Sequence, residues 1–87
     1  MKKKVFVRET LNYTFIVMEA KSIKEVTPWA DKIDGYQGIN VKEVKFNSEL
    51  EQGMIISSTY SRFNINAMLD ELGLERVVKP SRKILWT

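Results

Sequence analysis

Tyr13-Thr14-Phe15-Ile16-Val17-Met18-Glu19 is the stretch on which the fold turns. It is rich in β-branched and aromatic residues and contains neither Gly nor Pro, so it reads as a strand. Side chains alternate across a strand, which puts Tyr13, Phe15 and Val17 on one side and Thr14, Ile16 and Met18 on the other. Both sides are largely apolar, as in a central strand covered on both faces. Upstream, Lys3 to Arg8 reads as a shorter strand with Val5 and Val7 on one face. Thr10-Leu11-Asn12 lies between the two without Gly or Pro, and residues 3–19 fit either a hairpin or one long strand.

Downstream, two helix starts follow in succession. Ser22-Ile23-Lys24-Glu25 has the pattern of a capping box, in which Ser22 caps and Glu25 reaches back. Thr27-Pro28 restarts the signal, because Pro disfavours helical geometry before it but suits a first helical position. The expectation is one helical turn after Ser22, then a second piece or a kink from Pro28 to Ile33. Ile23, Val26, Trp29, Ala30 and Ile33 form its buried stripe, and Gly35 sits where a helix end favours positive φ.

Ile39 to Phe46 reads as a strand whose apolar phase moves from Ile39 and Val41 to Val44 and Phe46, which predicts a bulge near Lys42-Glu43 or a change of buried face. Met54 to Tyr60 reads as a further strand, its Ser57-Ser58-Thr59 run suggesting an edge or half-exposed position. Asn64 then caps a helix in which Ile65, Met68, Leu69 and Leu72 keep i, i+3, i+4, i+7 spacing, and Gly73 closes it. Glu75 to Lys79 and Lys83 to Trp86 read as strands around a turn at Pro80-Ser81.

From Tyr13 onward the order is β-α-β-β-α-β. The fold class is therefore α+β: an antiparallel sheet of about five strands with two helices on one face. It fits a split βαβ (ferredoxin-like) arrangement with an extra N-terminal strand. The 87 residues suit one compact domain, 1–87, and 44% apolar with 29% charged residues is ordinary for a folded chain.

The chain has no Cys and no His. Small secreted domains usually carry disulfides, so the cytoplasm is the expected address. Lys2-Lys3-Lys4 followed by Val5-Phe6-Val7 starts like a signal peptide, but Arg8 and Glu9 end the apolar run far too early. Phe15 to Met18 is much too short to span a bilayer, so no membrane role is expected. Without His or Cys, the Ser-His-Asp, Cys-His and His-metal mechanisms are closed. No glycine cluster resembles a phosphate-binding loop, and Asp31 with Asp34 lacks a nearby third ligand. The expectation is a non-enzyme with no cofactor and no metal.

Binding is what remains. Fourteen Lys and Arg against eleven Asp and Glu give a net charge of +3. The cations gather near the two ends, as Lys2, Lys3 and Lys4 and as Lys79, Arg82 and Lys83. If the terminal strands are neighbours, these six form one basic patch able to neutralise phosphates; in the plainer reading they keep edge strands soluble. A base-stacking RNA-recognition sheet is not matched, because 52–60 holds one aromatic and no basic residue. Tyr36, between two glycines, is the expected exposed aromatic contact. Trp86, in Ile84-Leu85-Trp86-Thr87, needs a dock within its own sheet or in a second copy, which admits a homodimer through the terminal strands. The leading expectation is a stoichiometric, protein-binding regulator or inhibitor. In style it is like the small domains that phages and mobile elements encode to occlude a partner. The alternative is a nucleic-acid-binding or nucleoprotein accessory protein using the basic ends.

Overall fold

The computed structural model describes residues 2–79. The chain forms β1 (Lys3–Glu9), β2 (Tyr13–Glu19), α1 (Ile23–Ile33), a 3-10 turn (Tyr36–Gly38), β3 (Asn40–Asn47), β4 (Gln52–Ser58), α2 (Ile65–Leu72) and β5 (Leu74–Val77). The strands build one five-stranded sheet in the order β3-β4-β2-β1-β5. β2 is central, as its two apolar sides require. The expected strand from Lys83 to Trp86 lies outside the described residues.

β1 and β2 are a hairpin, with Val5 opposite Met18 and Val7 opposite Ile16. Thr10 makes the turn without Gly or Pro: its hydroxyl accepts from Tyr13 N–H at 3.1 Å, and its own N–H donates to the Tyr13 carbonyl at 2.8 Å. The sheet is mixed rather than antiparallel. β5 runs parallel to β1, with Lys3 beside Leu74 and Phe6 beside Val77. The split βαβ order expected from residue 13 onward would seat the last strand against β2; here β1 occupies that place and β5 lies outside it. The β1–β2 hairpin makes this possible, since it folds β1 back along the exposed edge of β2 before β5 arrives.

α1 is one continuous helix rather than two pieces, with Pro28 inside it. Pro28 is exposed, so the carbonyl left without its N–H partner faces water. Val26, Ala30 and Ile33 are buried, Trp29 is half-buried with Lys32 Nζ 4.5 Å from its ring centroid, and Ile23 is exposed. Ser22 makes no side-chain cap; Glu25 Oε2 reaches back instead to Lys21 N–H at 3.2 Å. In α2 the Asn64 side chain accepts from Ala67 N–H at 3.1 Å, and Gly73 ends the helix at φ 78°. β3 shifts register between Val41 and Glu43, the bulge its sequence phase demanded. β4 is interior, paired on both sides, with Ser57 buried, so its polar run does not mark an edge.

Both helices lie on one face. A single apolar cluster joins Val26, Ala30 and Ile33 of α1 and Ile65, Met68 and Leu69 of α2 to Val5, Val7, Ile16, Met18, Ile55 and Leu74 of the sheet. The opposite face carries its own cluster: Val17 and Met54 are buried, and Phe6, Phe15 and Ile56 pack around them. Phe15 thus belongs to this second layer and not to the core under the helices. That open face positions everything that follows.

Candidate functional surfaces at the two ends of the sheet

Strand register defines two ends. At one, Glu9, Tyr13, Ser58 and Asn40 lie abreast; at the other, Lys3, Glu19, Gln52 and Asn47 do.

The first end is aromatic. Leu11, Tyr13 and Tyr60 are 79, 43 and 49% exposed, unusual for large apolar or aromatic side chains. Leu11 and Tyr60 line a shallow cavity of about 190 Å3 with Thr10, Thr59, Ser61 and Phe63. The backbone beneath is tied: Thr59 N–H donates to the Asn12 carbonyl at 2.8 Å, and Phe63 N–H to the Tyr60 carbonyl at 3.0 Å. Tyr60 Oη donates to the Gln37 carbonyl at 3.2 Å, reaching the loop that carries Tyr36.

Tyr36 itself is half-buried against the core rather than projecting as a lone contact. Its ring meets Phe63 edge-on, centroids 6.4 Å apart, and Phe63 meets Tyr60 at 5.6 Å in the same manner. The Tyr36 hydroxyl donates to Glu71 Oε2 of α2. That hydrogen bond, with some desolvation and the carboxylate's charge behind it, holds the phenol above its ordinary pKa. Tyr36 is thus a buttress of the aromatic end. Leu11, Tyr13 and Tyr60 were not singled out from the sequence. The signal was there in Leu11, an apolar residue in a short turn between polar neighbours, where no core could take it.

The second end is basic. Lys2, Lys3, Lys4 and Lys79 line one cavity of roughly 500 Å3. Phe6, Val17, Met18 and Val77 supply its apolar lining, and Glu19 and Gln52 complete it. The expected gathering of the N-terminal lysines with Lys79 is therefore seen; Arg82, Lys83 and Trp86 lie outside the described residues.

Among the described residues there is no cluster of three or more His, Cys, Asp or Glu side chains able to hold a metal ion. Asp34, one of the two carboxylates considered for a cation, instead accepts from Val41 N–H at 3.0 Å. No helix among the described residues is long and apolar enough to cross a membrane. No protein-family model, curated protein or solved structure matches the chain.

Proposed function

We propose that this chain is a non-catalytic binding domain that engages a protein partner through its aromatic end, acting stoichiometrically by covering the partner's surface. The observation that carries the reading is the exposure of Leu11 and Tyr60 on turns, and of Tyr13 at the start of β2, where the backbone is hydrogen-bonded in place. Binding hot spots favour Tyr because it brings a large contact area with few rotatable bonds to freeze. A rigid base lowers the cost further, since the turns need little ordering on contact. Glu71, Phe63 and Tyr36 support the platform from behind. The absence of His and Cys from all 87 residues agrees with a role that needs no general base or nucleophile of those types.

The test starts from the wild-type chain, tagged and used to retain proteins from the organism that encodes it. A discrete partner should co-elute with it in equimolar complex. Leu11→Ser combined with Tyr60→Ser should weaken that complex by about tenfold or more while the circular-dichroism spectrum and melting temperature stay close to wild type. A complex that ignores the double substitution removes the aromatic end from the interface. Turnover of a small molecule by the purified chain, with no partner retained, overturns the reading altogether.

A further inference from the structure

The basic cavity is a second recognition element, and we infer that it accepts an acidic segment of a protein partner, one that places a large apolar side chain beside carboxylates. This rests on the protein-binding reading and adds the chemistry of what is bound at the other end of the sheet.

Size comes first. A volume of roughly 500 Å3, open to solvent on one side, lies within the size range of ligand-binding clefts and far exceeds what one water needs. Its lining divides in two. Phe6, Val17 and Val77 offer an apolar wall, while Lys2, Lys4 and Lys79 bring ammonium groups to the same space. Lysine stems are themselves apolar, so the cations add to the wall while their charges stay at the mouth. A ligand satisfying both parts must be amphiphilic and anionic.

The same face separates a protein segment from a nucleic acid. Alternation along the strands puts Glu19, Glu43 and Glu75 on the open face together with Lys4, Arg8 and Lys45. A nucleic-acid strand carries a phosphate at every nucleotide and needs a nearly continuous cationic track. The interleaved carboxylates interrupt such a track. A peptide with a few acidic side chains can meet the lysines without needing an unbroken cationic track.

The probe is a short fluorescein-labelled peptide in which Leu and Phe are interspersed with Asp and Glu, titrated with the full chain and read by fluorescence anisotropy. Its comparators carry Asn and Gln in place of the acids, or Ser in place of Leu and Phe, and a labelled oligothymidylate forms a fourth arm. The acidic apolar peptide should bind about tenfold tighter than each comparator at physiological salt, and its affinity should fall as salt rises. Lys4→Glu with Lys79→Glu should abolish that preference, and Phe6→Ser should weaken binding of the same peptide. Leu11→Ser with Tyr60→Ser should leave peptide binding intact, so the two surfaces are read independently. Equal binding of the uncharged peptide, tighter binding of oligothymidylate, or indifference to the lysine substitutions overturns the inference. A self-associated chain by light scattering whose cavity no peptide enters overturns it too, the occupant then being a second copy.

Discussion

The two faces of the sheet are built from the same strands and differ in what lies over them. On β4, Ile55 points under the helices and is fully buried, while its neighbour Ile56 points to the open face and is only partly covered. On β2, Ile16 and Val17 divide between the two clusters, Val17 being buried in the one on the open face. The helix face is closed to anything outside the chain, because α1 and α2 fill it with matched side chains. The open face keeps apolar residues within a rim of charge and is where recognition has room to act. On the binding reading, one strand would serve stability on one side and recognition on the other, and a one-residue step along it changes which is being tested.

That contrast is broken most directly by Ile55→Ala against Ile56→Ala. Truncating Ile55 removes a fully buried side chain between two helices and should cost about 4 kcal/mol. Truncating Ile56 should cost about 1 kcal/mol, because part of its surface already meets solvent. Urea denaturation of the two variants measures both. Equal losses would mean that the open face is packed as tightly as the helix face, which defeats the division of labour proposed here.

Gly53 sharpens the same comparison at a single backbone position. It lies on β4 between Met18 and Phe46, facing α1. A Cβ there would stand 2.2 Å from Val26 Cγ2 and 3.0 Å from Val26 Cγ1. Val26 is branched and fully buried, so it has no rotamer in which to retreat. Gly53→Ala should therefore cost about 3 kcal/mol by overpacking. Val26→Ala removes the two closest atoms and leaves only Val26 Cβ, 3.2 Å away, so the double variant should be more stable than the sum of the two single losses predicts. Simple additivity in the melting data would show that α1 does not rest on β4 at this point.

Much of this architecture was legible in the chain, and the parts that were not share a cause. The alternation in Tyr13–Glu19, the cap at Asn64 and the phase change across Val41–Glu43 are local signals, and each has its counterpart in the fold. The parallel pairing of β1 with β5 is not local. It joins Lys3 to Leu74 across nearly the whole chain, and no short-range pattern encodes the direction of such a pair. Pro28 misled for a related reason: whether proline breaks a helix depends on what faces the orphaned carbonyl, which only the tertiary position decides. A basic patch of six residues was expected on the condition that the terminal strands meet; β1 pairs with β5, and four of the six, Lys2, Lys3, Lys4 and Lys79, line one cavity, while Arg82 and Lys83 lie outside the described residues. The aromatic end was only partly foreseen. Tyr36 drew attention through its glycines, yet the exposed residues are Leu11, Tyr13 and Tyr60, of which Leu11 and Tyr60 are brought to one cavity by turns far apart in sequence.

The smallest effect concerns the polar tie that joins the aromatic end to the helix layer. Tyr36 donates to Glu71, and its pKa is raised because losing the phenolic proton would lose that bond and leave two anions side by side. A group whose folded pKa lies above its unfolded value contributes stability fully below the unfolded pKa, and that contribution disappears as pH rises through the folded pKa. The tie should therefore be intact at neutral pH and lost only in strongly alkaline solution. The chain has three tyrosines, so phenolate absorbance can resolve them one at a time when each is replaced by Phe in turn. Removing Tyr36 should delete a step displaced above the ordinary phenol value, and Glu71→Gln should move that step back toward it. Because the hydroxyl sits at the surface, neither change should alter the melting temperature at neutral pH by more than a few degrees. If Glu71→Gln leaves the titration unchanged, the Tyr36–Glu71 bond does not persist in solution, and the aromatic end is held by Phe63 and the Tyr60–Gln37 contact alone.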